Sequence, residues 1–253
     1  MHHRIFHYTN ARSLALILKS RKFRFTRLDQ FDDVYEAQSV GKFDFGQLLF
    51  ASSWTTNEEE DLPQWSMYGD AMRGVRISLP QHPFKWHRYQ PLPGDIAVET
   101  EIPMPMDQAI GETYKVRPFY ERSHFFQEVE YVDDVEAIWQ SRVILTGANS
   151  FVAEDPCALA RFKGKAWSFQ KEHRFVLMAQ GRSSKHSEAA VPPPPPFMHI
   201  DVPIVDEALS NIQITLGPLR APADRLIVEA LAHKFAPSAE IKESKLLDAI
   251  RPR

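Results

Sequence analysis

The chain is predicted to be an α+β protein, a single domain over residues 1–253 with a mixed, mostly antiparallel sheet and flanking helices. Three observations support this. Short stretches such as Arg4–Thr9 and Arg73–Leu79 alternate side chains at the period of a strand. Amphipathic helical patterns lie among them, as where Leu14, Ile17 and Leu18 form a stripe at i, i+3, i+4. The 253 residues, 43% hydrophobic and 25% charged, have the length and balance of an ordinary globular protein with one sizeable core.

In chain order, Arg4–Thr9 places Ile5, His7 and Thr9 on one face and Phe6 and Tyr8 on the other. Thr9 or Asn10 offers a side-chain oxygen to cap the helix that follows. Lys22–Thr26 is a short strand, and the two aspartates of LDQFDDVYEAQS suit a turn. Leu48–Trp54 is an apolar run of strand length, followed by an acidic loop at Asn57–Asp61. Pro63 suits the first turn of a short helix, where its missing N–H costs nothing, and Gly69 or Gly74 ends that helix. Arg73–Leu79 then puts Val75, Ile77 and Leu79 opposite Arg76 and Ser78.

Gln81–Gly94 reads as an ordered loop. Ile96–Ile102, Thr113–Tyr120 and Phe126–Val132 read as strands. Asp133 and Asp134 cap a helix through Ile138 and Trp139, and an irregular helical region is expected to run on to about Lys165, with breaks allowed at Gly147 and Pro156. Glu172–Gln180 is an apolar strand with a charged start. Gly181–Pro196 is low in complexity and ends in five prolines, Pro192–Pro196, which favour a polyproline II surface loop or spacer over residues 181–197. Residues 198–253 are expected to dock on the main body. They contain a strand at Asn211–Leu216, a helix at Pro222–Phe235 with Leu226, Ile227, Ala230 and Leu231 on its packed face, and a strand at Glu240–Glu243. That tail is too short to build its own core.

The formal net charge of −3 gives no general nucleic-acid footprint. A single cysteine, Cys157, forms no internal disulfide and no multi-cysteine zinc site, as suits a reducing compartment. The opening residues lack an apolar leader pattern and no long apolar run occurs, so the expectation is a cytoplasmic protein with no membrane contact.

Several groups of residues have the chemistry of a site. His7 and Tyr8 end the first strand. Asp32, Asp33 and Glu36 are oxygen donors, but their spacing matches no calcium loop. Trp65 and Tyr68, three apart, share a helical face on which a ring could wall a pocket. Glu172 and Arg174, two apart on a strand, point the same way. They make either an internal ion pair that fastens the fold or a ligand-orienting carboxylate held by its arginine. Ser52 and Ser53 have no histidine base nearby in sequence, so no serine triad is argued.

Taken as an ordered set, FHYT, LILKS with KFRFT, QFDDVYE, FASSWTT, PQWSMYGDAMRGVRISL, WSFQKEHR and ITLGP resemble a bacterial family catalogued as domain of unknown function 2971. Three positions depart from that pattern: Asp32 stands where the family has Asn, Val34 where it has Pro, and Gln170 where it has an acid. More distantly, the order His7, Tyr68, Glu172 is similar to that in ADP-ribosyltransferase-like folds. That resemblance implies NAD as a substrate, with no metal. Glu172 and His7 would be the catalytic residues, with Tyr8, Ser53, Trp65, Tyr68 and Arg174 around the cofactor. The acceptor would be macromolecular. The alternatives are a non-catalytic module for a small-molecule or protein ligand and a metal-dependent nuclease built on Asp32, Asp33 and Glu36.

Overall fold

The structure is a computed structural model that describes residues 3–91, 99–119, 121–147, 150–153, 155–182, 191 and 193–251. Alternating residues at the start form strand β1 (Arg4–Thr9), and Asn10 caps helix α1 (Ala11–Ser20) by accepting from the Ser13 N–H. Leu14, Ile17 and Leu18 are buried, as their spacing requires. Arg21 ends α1 in the left-handed conformation and feeds β2 (Lys22–Arg27). The apolar run before the acidic loop is β3 (Leu49–Thr55). Asp61 caps α2 (Leu62–Met67), with Pro63 in its first turn.

Three successive left-handed residues, Asp70, Ala71 and Met72, turn the chain from α2 into β4 (Val75–Pro80). The two glycines flanking that turn are there for close approach. A Cβ on Gly69 would lie 2.5 Å from the Trp65 ring, and one on Gly74 2.2 Å from the Thr9 carbonyl oxygen.

The remaining strands of the main sheet are β5 (Tyr114–Val116), β6 (Phe126–Glu128), β7 (Glu172–Gly181), β8 (His199–Pro203), β9 (Gln213–Leu216) and β10 (Glu240–Glu243). The ten-stranded sheet runs β6-β7-β3-β1-β4-β9-β10, with β2 joining β3 to β8 and β5 on the outer edge of β7. Every pair in it is antiparallel except β9 with β10. Beyond it, Glu130–Val132 pairs in parallel with Phe162–Gly164. This is a mixed, mostly antiparallel α+β fold.

One feature of this sheet positions the site. Beside β3, the edge away from β7 is shared by two strands. β1 pairs at Thr55 through Phe6, and β2 pairs at Ala51 and Phe50 through Thr26 and Arg27. The sheet therefore forks along β3, and a gap opens between β1 and β2.

Several expectations are corrected. Among the described residues from Asp134 to Lys165, the chain is α-helical only over α3 (Val135–Arg142). β-branched Val143 and Ile144 leave the helix, and Ile144–Gly147 pairs with Ser150–Val152 as a hairpin. Pro156–Arg161 and Lys165–Gln170 are 3₁₀ turns around the strand Phe162–Gly164. Phe126–Val132 is not one strand. The Val129 N–H goes to the Glu172 carbonyl, and Glu130–Val132 leaves the main sheet.

Helix α4 (Pro222–Phe235) has the expected bounds but not the expected face. Val228 and Ala232 are buried, while Leu226 is 67% and Ile227 49% exposed. Strand β8 and the short helix Asp206–Ser210 were not foreseen. Residues 96–98 of the expected Ile96–Ile102 strand and 183–190 and 192 of the proline-rich segment lie outside the described residues. At that segment's described end, Gly181 donates its N–H to the Pro193 carbonyl.

Candidate functional site

The fork between β1 and β2 holds a half-open cavity of about 280 Å³. Its wall comes from Phe6–Tyr8 of β1, Arg24 and Thr26 of β2, Ala51–Trp54 of β3 and the turn Gln30–Asp32. Gln64, Tyr68 and Gln170, hydrogen-bonded to one another, complete the wall together with Lys163 and Glu172. Strand register explains the meeting. Phe6 and Glu172 both stand opposite Thr55, and Arg174 stands opposite Ser53. Alternation then places Phe6, Tyr8, Ser53, Glu172 and Arg174 on one face of the sheet, with His7 on the other. The cavity reaches His7 because β2 has diverged from β1.

His7 Nδ1 lies 2.8 Å from the Ser53 carbonyl oxygen, which only accepts, so Nδ1 carries the proton. Burial pulls the imidazole pKa below its ordinary value, against the opposing effect of that hydrogen bond. The ring is thus neutral at pH 7 and Nε2 is an acceptor. It packs against Phe23 and Trp54, with ring centres 5.1 and 5.3 Å away.

The Tyr8 hydroxyl accepts from the Asp61 N–H at 3.0 Å, and burial raises its pKa. Tyr68 follows the last turn of α2. Its hydroxyl accepts from Gln170 Nε2 at 2.6 Å. Burial, with the carboxylates of Asp32, Glu172 and Glu36 nearby, raises its pKa strongly.

Glu172 opens β7 and is 4% exposed. Arg174 donates to it from Nε at 2.6 Å and from Nη2 at 3.0 Å. Lys163 Nζ bridges Glu172 Oε2 at 3.2 Å and Glu36 Oε1 at 2.9 Å, and Glu36 also contacts Arg174. Two acids and two bases, all buried, form a charge-balanced cluster. Burial alone would raise the Glu172 pKa. The charges of Arg174 and Lys163, with hydrogen bonds from Arg174 and Ser53, outweigh it and bring it to about 2. Burial would likewise lower the Arg174 pKa, but Glu172 and Glu36 raise it instead.

Of the residues singled out from sequence, His7, Tyr8, Ser53, Tyr68 and Glu172 line the one cavity. Trp65 and Arg174 do not, which corrects their reading as cofactor contacts. Trp65 is 0% exposed behind Tyr8, edge to face at 4.9 Å, and its Nε1 donates to Glu60. Arg174, also 0% exposed, stands behind Glu172 and donates from Nη1 to the Ala160 carbonyl.

The three acids of the turn do not converge as metal ligands. Asp33 accepts from the Tyr35 N–H, Glu36 is paired inside the cluster, and Asp32 faces the cavity. Among the described residues no group of three or more His, Cys, Asp or Glu is arranged to hold a metal ion. Cys157 is a buried thiol whose pKa burial pushes well up, a packed residue rather than a nucleophile.

Sequence reasoning missed Lys163 and gave Gln170 no place in the site. Lys163 alternates with Phe162 on a three-residue strand, too short for a periodicity signal. The cavity thus joins aromatic walls, a neutral imidazole acceptor and a permanently ionised carboxylate. Among the described residues no helix is long and apolar enough to cross a membrane. Comparison with family models, curated proteins and solved structures finds no match for this chain.

Proposed function

We propose that this protein is an NAD-consuming transferase with ADP-ribosyltransferase-like chemistry, acting on a macromolecular acceptor in the cytoplasm. The observation that carries this reading is that His7, Tyr68 and Glu172, from three separate parts of the chain, line one cavity with Tyr8 and Ser53. The nicotinamide and its ribose would enter between the aromatic rings, with the rest of the dinucleotide leaving through the open side. Neutral His7 Nε2 would accept from a ribose hydroxyl. The bond between ribose C1′ and the pyridinium nitrogen breaks, its electron pair goes to that nitrogen, and neutral nicotinamide leaves. Glu172, ionised across the physiological range, stabilises the cationic C1′. An acceptor nucleophile then bonds to C1′ and gives up its proton to solvent.

One observation favours a second reading, a binding module without turnover. Both Glu172 carboxylate oxygens are already engaged by Arg174, and one also by Lys163, so their charge is shared within the cluster.

Calorimetric titration with NAD, together with assays of nicotinamide release in cell lysate as a source of acceptors, separates the two. The transferase reading expects binding and release by the wild type, with release lost in Glu172→Gln and binding weakened in Tyr68→Phe. Binding without release points to the module. A folded wild type that does not bind NAD ends the transferase reading.

A further inference from the structure

The distribution of charge on the cavity wall singles out Asp32. Four wall residues carry full charges at neutral pH: Arg24, Asp32, Lys163 and Glu172. Arg24 is taken up by Asp201, through Nε at 2.9 Å and Nη2 at 3.1 Å. Lys163 and Glu172 belong to the balanced cluster with Glu36 and Arg174. Asp32 makes no ion pair among the described residues and is exposed at the cavity mouth.

Its neighbour fixes what Asp32 offers. The Tyr68 hydroxyl accepts from Gln170 Nε2, and the nearby Asp32 carboxylate is among the groups that raise its pKa, so Tyr68 sets no positive charge against Asp32. Asp32 is left a carboxylate with lone pairs to spare on the cavity wall. The wall around it is aromatic, with the rings of Phe6, Tyr8, Phe31, Trp54 and Tyr68. A cavity with π faces and one uncompensated negative charge favours a cation over a neutral group of the same shape.

We propose that Asp32 is a specificity-determining residue that makes this cavity select a positively charged aromatic ring, a pyridinium, over its uncharged counterpart. For the dinucleotide, this rests on the NAD reading above. Oxidised NAD carries a pyridinium, and reduced NAD carries a neutral dihydropyridine of nearly the same outline. A carboxylate a few ångströms from a cation in a half-open site gives a preference on the order of tenfold at low salt. It shrinks as ionic strength rises.

The test is calorimetric titration of the full chain, wild type and Asp32→Asn, with two ligand pairs: oxidised and reduced NAD, and cationic 1-methylnicotinamide and neutral nicotinamide. The wild type is expected to favour the cation of each pair. Asp32→Asn is expected to weaken the cations by about tenfold, leave the neutral ligands unchanged and melt like the wild type. Equal binding of charged and neutral forms by the wild type, or an unchanged ratio in Asp32→Asn, overturns the inference. If neither dinucleotide binds while 1-methylnicotinamide still binds through Asp32, the NAD reading falls and this one stands. If no ligand of the four binds, both fall.

Discussion

Arg174 grips Glu172 from two positions along the same strand, with Nε and Nη2 on the two carboxylate oxygens at 2.6 and 3.0 Å. The pair is buried, and Lys163 and Glu36 complete its charge balance. Removing one acid leaves an uncompensated buried cation. Glu172→Gln is therefore expected to lower stability by about 3–5 kcal/mol. The double variant Glu172→Gln with Lys163→Met removes one acid and one base, and should recover much of that loss. Urea denaturation of the three proteins measures both effects. A single variant as stable as the wild type would show that the cluster does not hold the fold.

Acid should weaken the same cluster. The folded pKa of Glu172, about 2, lies below its ordinary value of 4.5. Its contribution is therefore full above about pH 4.5 and is lost as the pH falls toward 2. The size is about 3 kcal/mol. Denaturation midpoints at pH 6 and pH 3 should differ by more in the wild type than in the double variant.

The hydrogen bond of His7 to Ser53 fixes its tautomer, and burial keeps it neutral. A base whose folded pKa is lowered costs stability as the pH drops below its ordinary value of 6.5. Long-range nitrogen NMR should find Nδ1 protonated and Nε2 bare at pH 7, with titration only below 6.5. An Nε2-protonated ring would remove the acceptor role assigned to it.

Trp65 acts as a structural anchor. Its indole N–H meets Glu60, whose carboxylate also receives the Ser244 hydroxyl and the Lys245 N–H and so ties down the end of the chain. Trp65→Ala should cost about 3–5 kcal/mol, as for other buried large aromatics. Calorimetric melting checks this. An unchanged melting temperature with altered ligand binding would return Trp65 to the site.

Helix α4 gives a test of face. Leu226 is 67% exposed, so Leu226→Lys should change stability by no more than about 0.5 kcal/mol. Val228→Asp, at 1% exposure, should prevent stable folding. The reverse ranking in thermal melts would favour the face read from periodicity.

Local chemistry alone determined much of this protein. The alternation of Arg4–Thr9, the cap at Asn10, the stripe in α1, Pro63 in the first turn of α2 and the bounds of α4 follow from interactions within a few residues. So does the shared face of Glu172 and Arg174, since a strand repeats every two residues. The tertiary structure decided the rest. In α4, Leu226 and Val228 are both apolar, and only the position of the sheet and α1 selects which is buried. The helical reading past Arg142 failed because pairing between distant segments, such as Glu130–Val132 with Phe162–Gly164, overrides local propensity. The site itself was half legible. His7, Tyr8, Ser53, Tyr68 and Glu172 could be singled out by residue type, but their meeting depends on the fork between β1 and β2, a matter of register that no local pattern encodes. Asp32 and Gln170 come together with Tyr68 on the cavity wall. They are 138 residues apart in the chain, and only folding could join them, because a cavity wall is assembled by distance in space and not along the sequence.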